Sequence, residues 1–98
     1  RMKSKREFLK EKYESFQSYL MSQSTITSNE LENDEDVIEF RKMNEEQLIY
    51  FAINKLSPYK NNLSYPAKRI MEIFKIDQNN QKRLMIENYL ELILSLVE

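Results

Sequence analysis

The chain has 98 residues, with 15 Lys and Arg against 16 Asp and Glu, a formal charge of -1, and no His, Cys, Trp or Gly. This length supports one domain that buries roughly 60–65 % of its unfolded surface, so stability is modest and docking on a partner would add to it. Without imidazole or thiolate, hydrolytic triads and zinc sites are excluded, and without Gly so are phosphate-cradling loops; no catalytic, cofactor-binding or metal-ligating residue is expected.

The lack of Cys points to an intracellular protein, since small secreted domains rely on disulfides. No apolar run reaches the roughly 18–20 residues of a bilayer span, so no membrane partner is expected. The charge balance exerts no bulk attraction on nucleic acid.

Ser4 and Glu7 have the spacing of a capping box, and Leu9, Tyr13, Phe16 and Leu20 follow as one apolar stripe, which predicts a first helix from about 4 to 22. Residues 22–36 read as a flexible polar and acidic connection. It leads into Glu30, Glu32, Asp34, Glu35, Asp36 and Glu39, six acids without an intervening base, which form a solvated helix start or a handle for a basic partner.

A second helical region begins near Asp34 or Asp36 and runs to about Leu56, as one helix or as two joined at Asn44. Pro58 disfavours helix at Ser57 and stops it there. A third helix is predicted over about 66–76, with Pro66 at its first position, and polar residues 77–80 precede a last helix that is apolar almost all round. Alternation of the strand type is missing. The fold expected is all-α, a bundle of three to five helices with the last one central and an intermolecular helical interface.

The surplus of apolar residues on the last helix predicts a homodimer, with a seam at Leu92 and Leu96 or at Ile93 and Val97. Five Met and eleven aromatics suit helix-to-helix recognition. A non-enzymatic interaction or oligomerisation module is therefore the first functional reading. The alternatives are a nucleic-acid-associated regulator, with Lys3, Lys5, Arg6 and Lys10 on phosphate, and a small inhibitor or immunity-type protein that presents its acidic stretch to an enzyme.

One segment carries a likeness. From Asn44 to Ile76 come an acidic pair, Leu48, Phe51, Leu56, Pro58, Leu63, Lys68, Arg69, Ile70, Ile73, Phe74, Lys75 and Ile76. This order resembles the BESS motif, a helical interaction module of insect chromatin and transcription proteins. The chain departs from it by one extra residue between Phe51 and Pro58, and by Asn54 where a small Ser is usual. The resemblance implies homo- or hetero-association in a nuclear setting, with Leu48, Phe51, Leu56, Ile70, Ile73 and Phe74 as packing residues in a transcription or chromatin regulator.

Overall fold

Each helix begins on a side chain or turn that satisfies amides left free by the first turn. The structure, a computed structural model, describes residues 2–98. Ser4 caps α1 (Lys5–Gln23), its hydroxyl accepting the Glu7 amide at 3.2 Å, and the expected stripe of Leu9, Tyr13, Phe16 and Leu20 is buried. Thr27 caps α2 (Ser28–Glu32) within the stretch that reads as a connection, and Leu31 is fully buried there. A single large apolar side chain gives this short helix its anchor, too little periodicity to register in the sequence.

Asp34 caps α3 (Glu35–Arg41), accepting the Asp36 and Val37 amides. At Asn44 a reciprocal capping box with Gln47 starts α4 (Glu45–Phe51), so the second helical region is two helices. Beyond Phe51 the helix widens into a π-helix, Ala52–Leu56, and then tightens into a 3₁₀ turn, Ser57–Tyr59. Pro58 has no N–H and its ring clashes with a carbonyl four residues back, which a regular α-helix here could not relieve. The Ser57 amide instead reaches the Ala52 carbonyl, and the Asn54 amide side chain donates to the Tyr50 carbonyl at 3.0 Å.

The next helix, α5 (Ser64–Ile73), starts two residues before the predicted position, which puts Pro66 third; its missing N–H still falls within the first turn, where amides lack helical partners. The helix ends before Lys75, whose φ of 54° turns the chain away. Asn79 caps the last helix, α6 (Asn80–Val97), by accepting the Lys82 amide at 3.1 Å.

α6 is the central element, with α1 along one side and α5 and the π-helix along the other. Phe40 sits where α1, α3, α4 and α5 converge, its ring centroid 5.5–6.1 Å from those of Tyr13, Phe16, Phe51 and Phe74. The radius of gyration, 13.1 Å, is that of a well-packed domain of this length. The described residues are all-helical with no strand, but in six α-helices rather than three to five. The difference comes from one- and two-turn helices, α2 to α4, each set by its own cap.

Candidate functional site

α4 and α5 are joined through the π-helix, the 3₁₀ turn and a short reversal over residues 60–63, and they do not pack closely along their lengths. Between them lies a groove of about 830 Å³, with Phe40, Phe51 and Ile70 at its base. One end is closed by Asp36 and Glu39 of α3 and by Met43 just after it, together with Gln47 and Ile73. At the other end stand Pro58, Tyr59, Tyr65 and Pro66, where the two tyrosine rings lie 5.2 Å apart at 30°.

Three tyrosines make this groove unusual. Tyr50 is 62 % exposed and Tyr65 56 %, and Tyr59 is also open, so their rings are offered to solvent rather than spent on the core. Large aromatic surface left outside a fold marks interaction sites more often than ordinary surface does. The π-helix contributes to this arrangement: Ala52 and Leu56 turn inward and are fully buried, while Asn54 and Lys55 on the same widened turn line the groove.

Charge is divided along the groove. Asp36 and Glu39 stand at the α3 end and Lys55 nearer the tyrosine pair, all three exposed and with no ion pair among the described residues. Arg69, on the α5 wall, is neutralised by Glu72 at 3.0 Å. From Gln47 to Lys55 the helical rise is roughly 12 Å, which separates the acidic and basic ends.

The interface residues read from the sequence fall into two groups. Leu48, Leu56, Ile70, Phe74 and Ile93 are buried within the chain's own core, where they are unavailable to a partner unless the fold opens. Phe51 is half-buried beneath the groove. On α6 the core claims Ile86, Leu90, Ile93 and Leu94, while Tyr89, Leu96 and Val97 are partly buried against it. The Ile93 and Val97 seam is therefore taken up internally, because α6 has neighbours on two sides rather than one. Leu84, Met85 and Leu92 stay exposed, but Asn88 separates Leu84 from Leu92 on their shared face.

The basic residues at the start of the chain are interleaved with acid. Lys3 pairs with Glu11 at 2.5 Å and Arg6 with Glu45 at 2.5 Å; Lys5 and Lys10 are exposed. Glu14 and Glu45 share a neighbouring hollow with Arg6, Lys10 and Arg41, so acid interrupts base on that surface.

No family model matches the chain, and no curated protein or solved structure shows significant similarity to it. Among the described residues no group of side chains has the arrangement of a metal site, and no helix is long and apolar enough to cross a membrane.

The sequence reading overlooked Tyr50, Tyr59 and Tyr65. A signal was present in the mirrored pairs Pro58-Tyr59 and Tyr65-Pro66 that bracket the connection, each placing an aromatic beside a residue with fixed backbone.

Proposed function

We propose that this chain is a non-enzymatic helical interaction module that binds a polypeptide in the α4–α5 groove. The observation that carries the reading is the set of exposed tyrosines around an apolar base, with a few charged residues beside them. That is the anatomy of a docking surface, an apolar centre with a polar margin. A groove between two helices that stand apart is also the shape into which a third helix packs.

The absence of imidazole and thiolate from the chain supports a role in association rather than catalysis. Both long walls of the groove belong to the segment that resembles the BESS motif, while Asp36, Glu39, Phe40 and Met43 precede it; the extra residue by which the chain departs from that pattern falls in the stretch containing the π-helix. A role in transcription or chromatin assemblies rests on that resemblance.

Site-specific photo-crosslinking tests the reading. A benzoylphenylalanine in place of Tyr65 should join the chain to a second polypeptide in cells, whereas the same group in place of Glu91 on α6 should not. Crosslinking confined to Glu91, or none at either position, would contradict the groove as the docking surface.

A further inference from the structure

We propose that the groove is closed by the same face of a second copy of this chain, antiparallel and related by a twofold axis, with the exposed tyrosines of each copy reaching across to the other. The inference rests on the interaction reading above and goes further by naming the partner and its orientation.

The argument begins with the charges. Glu39 and Asp36 mark one end of the groove and Lys55 lies toward the other, each without an ion pair among the described residues. A twofold axis through the middle of the groove brings the acidic end of each copy onto the basic end of the other, so a single contact type is made twice. A foreign helix would need a basic end and an acidic end in the matching order to satisfy the same pattern. Arg69 faces the groove from the α5 wall and is paired with Glu72 at 3.0 Å.

Area sets the strength. Tyr50, Tyr59 and Tyr65 each leave on the order of 100 Å² open, and with the rim charges the face offers roughly 500–600 Å² per copy. Such a face is smaller than the roughly 800 Å² per partner of a standard interface, so the dimer expected is a weak one.

A charge-swap pair tests the proposal. Glu39→Lys alone sets Lys against Lys55 twice, and Lys55→Glu alone sets Glu against Glu39 twice; each should weaken self-association at least about tenfold. Mixed in equal amounts, the two variants form only attractive contacts, and association should return to within about threefold of the original chain. The measurement is sedimentation equilibrium over about 5–300 µM, the range expected for such a small interface, with circular dichroism to show that each variant is folded. Folded variants that do not recover on mixing, or that associate as the unaltered chain does, would overturn the antiparallel assignment. If the unaltered chain stays at 11.9 kDa throughout while Tyr65 still crosslinks to another polypeptide, the second-copy proposal falls and the docking groove stands. If neither is seen, both fall.

Discussion

Thr25 donates twice to the carbonyl of Lys75, from its amide at 2.8 Å and its hydroxyl at 2.7 Å. These contacts tie the segment after α1 to the turn between α5 and α6, fifty residues later. Lys75 holds a positive φ, 54°, to make that turn. For a residue with a Cβ this conformation costs roughly 1 kcal/mol, which Gly would not incur.

Lys75→Gly is therefore expected to raise stability by up to about 0.5–1 kcal/mol, the relief at positive φ being opposed by loss of the long Nζ donations to the Glu72 and Ile73 carbonyls and of the pair with Asp34. Lys75→Val, which is β-branched at the same φ, should lower it by more than about 1 kcal/mol. Urea unfolding of the two variants checks the sign of each change.

Asp34 makes stability depend on acidity. Its carboxyl is held below the ordinary range chiefly by the Val37 amide, with Lys75 and the Asp36 amide adding to this and burial opposing it. A carboxyl depressed in the folded state contributes stability that is complete above its unfolded pKa and is lost as pH falls through the folded value. Asp34→Asn keeps a capping oxygen without the charge. The stability gap between the original chain and this variant should be present near neutrality and close as pH falls below about 4, measured by thermal unfolding across that range.

Tyr13 gives the opposite dependence. Its buried hydroxyl donates to the Phe40 carbonyl, and burial above all pushes its pKa well above the usual tyrosine range. Because the folded value is raised, this contribution is complete below the unfolded pKa of about 10 and declines as pH rises through the alkaline range. Tyr13→Phe should cost about 0.5–1.5 kcal/mol at neutral pH and lose less further stability than the original chain between about pH 10 and 12.

Phe40 joins four other rings at the meeting point of α1, α3, α4 and α5. Phe40→Ala is expected to cost about 3–5 kcal/mol, a large fraction of the stability of so small a domain. Loss of the cooperative unfolding transition at 37 °C would agree with this, and a shift of only a few degrees would not.

The long helices were legible because periodic apolar residues follow a capping side chain: Ser4 before Leu9, Tyr13, Phe16 and Leu20 is enough to place α1. On α6, by contrast, Ile93 reads as part of an intermolecular seam, because a helix apolar almost all round does not show which of its faces the core takes. Leu31 was not legible, because a five-residue helix with one buried residue has no period to detect. The π-helix and the groove escaped notice because they depend on how α4 and α5 diverge, a tertiary outcome that the spacing of Tyr50, Tyr59 and Tyr65 does not reveal. The surplus on α6 pointed to an external partner, yet α1, α5 and the π-helix cover most of it.

The choice between groove and last helix is tested most directly by sedimentation of two charge-bearing variants beside the unaltered chain. If association runs through the groove, Tyr50→Glu with Tyr65→Glu should hold the chain at 11.9 kDa, while Leu84→Glu with Leu92→Glu on α6 should leave self-association intact. A folded α6 variant that is monomeric, beside a groove variant that associates as before, would contradict the account.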